Sequence, residues 1–150
     1  VKLAIACDHR GYDAKRKLLP VLKKMGHEVR DFGCDSPASV DYPEMAALAG
    51  NCVARGEADV AILLDGSGVG MSIAANKVDG IRAALTHDEV TARRSREHNH
   101  CNALCLGCDL LSEDQIRTIT EAFLSVTYGD GRHAKRVEMI NELEKTRGKR

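Results

Sequence analysis

A chain of 150 residues is long enough for one domain with a substantial core, and at 43% apolar but only 3% aromatic content that core is aliphatic. The 22 basic side chains balance 22 acidic ones, which excludes the broad positive footprint of a nucleic-acid or anionic-membrane binder and leaves only local basic sites. No apolar run approaches the ~20 residues of a membrane-spanning helix, and the first residues lack the apolar segment of a secretory leader. The expectation is a cytoplasmic protein with neither membrane nor nucleic acid among its partners.

Lys2 to Cys7 is a short apolar run and reads as a first strand, closed by the loop Asp8-His9-Arg10-Gly11. From Tyr12 to Met25, Leu18, Leu19, Val21, Leu22 and Met25 recur at roughly helical spacing; Pro20 predicts a kink and Gly26 a C-terminal cap. His27 to Phe32 alternates as a second strand. Gly33 to Pro43 carries turn chemistry, so Asp41-Tyr42-Pro43 is placed in a loop and the next helix runs from Glu44 to Arg55, ending at Gly56. Val60 to Leu64 is continuously apolar, as in a strand buried on both faces. Three glycines at alternate positions follow, and Met71 to Lys77 can wind as a short helix.

Ile81 to Leu85 is a fourth strand, Asp88 to Glu97 a polar helix with His98-Asn99-His100 after its end, and Asn102 to Leu106 a fifth strand. Ser112, followed by Glu113 and Asp114, caps a helix to about Val126. Tyr128-Gly129-Asp130-Gly131 breaks it, and a last helix spans His133 to about Lys145 ahead of a basic tail, Thr146 to Arg150. Strands alternating with helices at this rhythm, with no repeat or linker, predict a single domain over residues 1–150. The fold class is α/β, a three-layer αβα sandwich with a five-stranded parallel sheet, Rossmann-like.

The six cysteines, Cys7, Cys34, Cys52, Cys101, Cys105 and Cys108, read as reduced thiols filling the core. The last three have the spacing of an iron–sulfur motif, but Cys101 to Gly107 reads as a buried strand and its exit. Alternation would put Cys101 and Cys105 on one face and send Cys108 elsewhere. No metal and no cofactor is expected.

In such sheets ligands sit beyond the carboxyl ends of the strands. Those ends carry Asp8-His9, Asp65 to Gly70, Thr86-His87 and Gly107 to Asp109. The stretch Asp65-Gly66-Ser67-Gly68-Val69-Gly70 organises them. Strand, glycine-rich loop and helix start follow one another, so several backbone N–H groups point at one spot that suits a phosphate or a reaction oxyanion, with Asp65 at its lip. Taken alone, such a loop is equally a tight turn with close backbone packing. It is not a dinucleotide fingerprint, because GxGxG here follows the third strand rather than GxGxxG the first.

Arg132 and Arg136, four apart on the last helix, share a face that suits a phosphate or is simply solvated. His9 and His98 border element ends beside Asp8 and Asn99, while His27, His87, His100 and His133 are assigned structural roles. Together the acid–histidine pair, the glycine loop, His98-Asn99 and the arginines describe a site for a small phosphorylated substrate handled by acid–base chemistry.

These residues resemble a known family, the type B ribose-5-phosphate isomerases and the related galactose-6-phosphate isomerase subunits. The matching pieces run in order from residue 7 to about 137. They are Cys7-Asp8-His9, Val40-Asp41-Tyr42-Pro43, Gly66-Ser67-Gly68-Val69-Gly70 with Ser72 to Lys77, Gly80-Ile81-Arg82-Ala83-Ala84, Ser95-Arg96-Glu97-His98-Asn99, and Gly129-Asp130-Gly131-Arg132-His133 with Arg136-Val137.

The resemblance implies a metal-free aldose–ketose isomerase working through a cis-enediolate, first of all between ribose 5-phosphate and ribulose 5-phosphate. It implies that His98 opens the sugar ring, assisted by Asp8 or Asn99, and that a base at the lip of the glycine loop moves a proton between C2 and C1. Backbone N–H groups of Gly66 to Gly70, Gly68 among them, and the Ser67 hydroxyl would stabilise the enediolate. Arg132, Arg136 and His9 would hold the phosphate, and Tyr42 would touch the substrate. It further implies a homodimer or tetramer with a shared active site. His98, Asn99 and the arginines would face a partner's loop, and the last helix (about 133–145) would contribute to the interface.

Two positions depart from the family pattern. Many relatives carry their base as a cysteine where this chain has Asp65, and others as a glutamate one residue beyond the loop, which is Met71 here. Asp65 is the natural substitute, since a carboxylate oxygen lies one bond farther from Cβ than a thiolate sulfur and keeps the reach. Its reference pKa of about 3.9 makes it a weak base, and nearby N–H groups are expected to lower it further. Asp109 stands where relatives often carry arginine, which marks either a different substrate or a side chain that points away. The alternatives are an isomerase of another pentose or hexose phosphate, a non-catalytic sugar-phosphate-binding or heteromeric partner subunit, and, more distantly, a flavodoxin-like nucleotide-binding module.

Overall fold

The third apolar run is buried at every position and forms the middle of the sheet. In the computed structural model, which describes residues 1–148, five strands are present: β1 (Lys2–Cys7), β2 (Glu28–Asp31), β3 (Val60–Asp65), β4 (Ala83–Leu85) and β5 (Ala103–Gly107). They are all parallel, in the order β2-β1-β3-β5-β4. Parallel strands need crossover connections, and here helices supply them. These are α1 (Tyr12–Lys24), α2 (Tyr42–Ala54), α3 (Val69–Ala75) and α4 (Glu89–Asn99); α5 (Glu113–Leu124) and α6 (Arg132–Lys145) follow the last strand. The end of the basic tail, residues 149–150, lies outside the described residues.

Strand alternation divides the core into the two faces of the sheet. Leu3, Ile5, Ile62, Leu64, Leu104 and Leu106 pack with Leu18 and Leu22 of α1 and with Ile116, Ile119 and Phe123 of α5. The opposite face carries Ala4, Ala6, Ala61, Leu63, Ala103 and Cys105 against Ala46 and Ala49 of α2 and Met71 and Ala75 of α3. The result is the expected three-layer α/β sandwich. The chain turns outward from β1 to β2 and then crosses to β3 on the other side of β1. The loops after β1 and β3 therefore meet at the topological switch point, where such sheets bind ligands. No helix among the described residues is long and apolar enough to cross a membrane.

Several boundaries differ from the sequence reading. Helix α1 runs through Pro20 unbroken, and Gly26 closes it at φ +89°. Helix α2 starts at Tyr42 rather than Glu44, because Pro43 falls in the first turn, where its missing N–H costs nothing. Helix α3 starts at Val69 and so includes Gly70, with Gly68 at its cap. Helix α4 continues through His98 and Asn99 and ends only at His100, whose left-handed backbone (φ 49°) reverses the chain. Cys101 precedes β5, so strand alternation does not govern it. It packs on the same face as Leu104 and Leu106, opposite Cys105.

Candidate active site

A carboxylate stands at the end of β3 (Asp65) and another directly after β1 (Asp8), both at the switch point. Asp8 and Asp65 are 6% and 4% exposed. Asp65 Oδ1 accepts a hydrogen bond from the Gly68 N–H (2.6 Å) and Oδ2 one from the Met71 N–H (3.3 Å), so the glycine loop folds back onto its own carboxylate. The turn needs Gly68: its φ is +81°, and a Cβ there would collide with Leu85 Cδ1. Asp8 Oδ1 closes the neighbouring loop by accepting from the N–H groups of Arg10 (2.9 Å) and Gly11 (3.3 Å).

The Asp65 carboxyl is held above the ordinary carboxylate range. Burial is the largest cause; the two N–H bonds pull the other way, and the charges of Asp8 and Asp109 add to the rise. The N–H groups alone predict a lowered value. Desolvation outweighs them.

The loop's own bonds also divide its donors. Gly68 N–H serves Asp65, and Val69 N–H bonds the Ser67 hydroxyl oxygen at 3.3 Å. Among the described residues, no internal partner takes the N–H groups of Gly66, Ser67 and Gly70. Those three N–H groups and the Ser67 hydroxyl are the donors the loop leaves free of internal partners among the described residues. Tyr42, the first residue of α2, lays its ring directly on Gly70; a Cβ on Gly70 would stand 2.6 Å from that ring.

His9 Nδ1 accepts from the Val40 N–H at 3.4 Å, which leaves the opposite ring nitrogen as the N–H in the neutral form. Asp109 does not point away. Its Oδ2 takes two hydrogen bonds from Arg10, from Nε at 3.0 Å and Nη2 at 2.5 Å, beside Gly66.

The remaining sequence-predicted residues form a second group. His98 and Asn99 sit in the last turn of α4, which runs back to the amino ends of the strands. Arg82, just before β4, donates to the Asn99 and His100 carbonyls (Nε, 3.2 and 3.1 Å), and its own N–H bonds Asn102 Oδ1 at 2.8 Å. The Asn102 carbonyl in turn accepts from Ala61 N–H, near the start of β3. From Ala61 to Asp65 the strand spans about 13 Å. Within one chain, His98 and Asp65 therefore lie toward opposite ends of the sheet.

Around His98 the packing is ordered. Its ring stacks on His133 at 4.2 Å and 6°. His133 is held below the usual histidine value, by burial first and then by His98, Arg132, Arg136 and His100. Arg132 and Arg136 share the exposed face of the first turns of α6, with no ion pair among the described residues. His100 stacks on Tyr128 (4.6 Å) and contacts the Gly129 carbonyl at 2.6 Å through Nε2. Arg96 lies between the rings of Phe123 and Tyr128, at 5.0 and 4.6 Å. These contacts fix the turn that delivers His133 to His98. The sequence reading gave His133 a structural role, and nothing in its local spacing ties it to a residue on another helix.

Known proteins resemble this chain over nearly its whole length. Residues 3–140 match the family model described as Ribose/Galactose Isomerase. The chain is 41% identical over 146 residues to ribose-5-phosphate isomerase B of Escherichia coli, covering 97% of this chain and 98% of that one. It is 40% identical over 126 residues to the galactose-6-phosphate isomerase subunit LacB of Clostridium acetobutylicum, covering 84% and 73%. Among solved structures, Clostridium thermocellum ribose-5-phosphate isomerase B superposes with a TM-score of 0.96 at 45% identity over 97% of this chain and 99% of that one. The Mycoplasma genitalium ribose-5-phosphate isomerase B with bound ribulose 5-phosphate superposes with a TM-score of 0.92 at 36% identity, covering 96% of each chain.

Proposed function

Since this chain belongs to the ribose/galactose isomerase family and is a sugar-phosphate aldose–ketose isomerase, we propose that it interconverts ribose 5-phosphate and ribulose 5-phosphate through a cis-enediolate, with Asp65 as the base. The observation that carries this reading is the buried Asp65 carboxylate, of raised proton affinity, beside three unpartnered loop N–H groups.

A proton next to a carbonyl is too weakly acidic to leave unaided. A base matched to the working pH contributes on the order of 10²–10⁴ in rate. Each oriented donor to the developing oxyanion contributes about 3 kcal/mol of barrier. Asp65 takes the proton from C2 and returns it to C1, while the C2 hydroxyl proton passes to O1 of the enediolate, so that the C1 carbonyl becomes a hydroxyl and the C2 hydroxyl a carbonyl. The Ser67 hydroxyl and the N–H groups of Gly66, Ser67 and Gly70 hold the enediolate oxygen. Gly68 acts one step back, by holding Asp65. Asp8 completes the polar floor, and Tyr42 bounds the sugar on the α2 side.

His98, assisted by Asn99, opens the sugar ring, and Arg132, Arg136 and His9 hold the phosphate, which supplies positioning energy remote from the reacting carbons. The separation of His98 from Asp65 along the sheet supports a homodimer in which one copy's His98 end meets its partner's glycine loop, so that a two-fold contact completes two sites. Exposed Met139, Ile140 and Leu143 support a part for α6 in that contact. Cytoplasmic location goes with this metabolic role. A second reading, favoured by the departure at Asp65, is one half of a heteromer acting on a hexose phosphate.

The test is deuterium incorporation at C2 in D₂O, followed by proton NMR, with ribose 5-phosphate, allose 6-phosphate and galactose 6-phosphate side by side. Exchange with ribose 5-phosphate is expected. Exchange with a hexose phosphate alone would replace the substrate, and exchange with none would remove the single-chain enzyme.

A further inference from the structure

The Arg10–Asp109 pair has no part in the roles above, yet it stands at the lip of the glycine loop. Arg10 follows the Asp8 turn and crosses to the loop after β5. Its Cγ and Nε each lie 3.7 Å from where a Gly66 Cβ would be, and Asp109 Oδ2 lies 2.9 Å from the same point. Both side chains are substantially exposed, at 58% and 43%, so neither is needed to satisfy a buried partner. The geometry of the pair is one-sided. Nε and Nη2 converge on the single oxygen Oδ2, spending one edge of the guanidinium. The other edge, the Nη1/Nη2 fork, has no partner among the described residues.

We propose that Arg10, oriented by Asp109, is a substrate-binding residue whose free Nη1/Nη2 edge takes two oxygens of the sugar phosphate's phosphoryl group at the lip of the loop. Held on its Nε edge, a guanidinium presents its fork in a fixed plane, and that fork matches two phosphate oxygens in a way a lysine ammonium does not. Asp109 is thereby a positioning residue rather than an obstacle to an anionic substrate. The inference rests on the isomerase reading and adds to it a contact from the same chain that carries Asp65, on the β5 side of the loop.

The experiment measures steady-state isomerisation of ribose 5-phosphate and calorimetric binding of inorganic phosphate for the wild type, Arg10→Gln and Arg10→Lys. Charge-assisted hydrogen bonds of this kind predict that Arg10→Gln raises KM and weakens phosphate binding by about tenfold or more, while kcat falls far less. Arg10→Lys recovers only part of the loss, because it returns charge without the fork. Melting curves matching the wild type establish that both variants fold. KM and phosphate affinity within twofold of the wild type in Arg10→Gln, or full recovery in Arg10→Lys, would overturn the assignment. If the wild type isomerises no sugar phosphate, the isomerase reading falls separately. The phosphate titration then decides Arg10 alone: weaker binding in Arg10→Gln upholds it, and equal binding ends it.

Discussion

At Asp65 two opposing effects act on one carboxyl group. Its hydrogen bonds to Gly68 and Met71 favour the charged form, and its burial beside Asp8 and Asp109 disfavours it more strongly. The group binds its proton more tightly in the folded chain than in the unfolded one. If Asp65 is the base proposed above, catalysis needs its ionised form, so kcat/KM is expected to rise with pH through a limb lying above the ordinary carboxylate range, and Asp65→Asn to lower turnover by roughly 10²–10⁴. Stability moves the other way. Between the ordinary value and the raised one the folded chain retains a proton that the unfolded chain releases, so stability falls as pH rises through that window and levels off above it. Urea titrations across the window are expected to show this slope in the wild type and its loss in Asp65→Asn. An unchanged slope in the variant would assign the linkage to another group.

At the scale of elements, close approach sets the tolerances. Gly70 lies under the Tyr42 ring, so Gly70→Ala forces the ring aside and is expected to cost about 1–3 kcal/mol in urea denaturation and to raise KM. Helix α1 is tied to β2 and the following loop by Lys15, which is 2% exposed and donates to both Asp31 oxygens at 2.7 and 2.8 Å and to the Cys34 carbonyl at 2.8 Å. Lys15→Ala leaves the Cys34 carbonyl and the partly exposed Asp31 carboxylate without their cation and is expected to lose about 1–3 kcal/mol; a loss under about 0.5 kcal/mol would show that the tie is dispensable.

Four of the five parallel strands are legible in the sequence as short apolar runs ended by a polar or glycine residue, and β2, Glu-Val-Arg-Asp, only by its alternation. The end of α4 is not. His98-Asn99-His100 contains no glycine or proline, and the reversal is made by a histidine in a left-handed conformation that sequence rarely signals. The start of α2 is not legible either, because Pro43 signals a turn in sequence although the first turn of a helix accepts it. Asp65 was found at its place, but its proton affinity depends on burial, which is tertiary. The Arg10–Asp109 pair spans 99 positions, and His133 meets His98 from another helix; neither leaves a local pattern.

At the scale of the whole molecule, the sheet separates the chemistry into two ends. Asp65, Ser67 and Tyr42 stand beyond the carboxyl ends of the strands, and His98, Asn99, His133 and the two arginines stand toward the amino ends. A single copy therefore carries two halves that do not meet, and in the proposed homodimer a second copy completes the site. The measurement that bears most directly on this account is complementation between two inactive chains. Asp65→Asn and His98→Gln are co-expressed with different tags, and the doubly tagged dimer is isolated and assayed for ribose 5-phosphate isomerisation. In that dimer one of the two shared sites has both native residues and the other has neither, so the account predicts about half the wild-type rate from two chains that are each nearly inert alone. A doubly tagged dimer as inert as its parents, or near-wild-type turnover by either variant on its own, would contradict it.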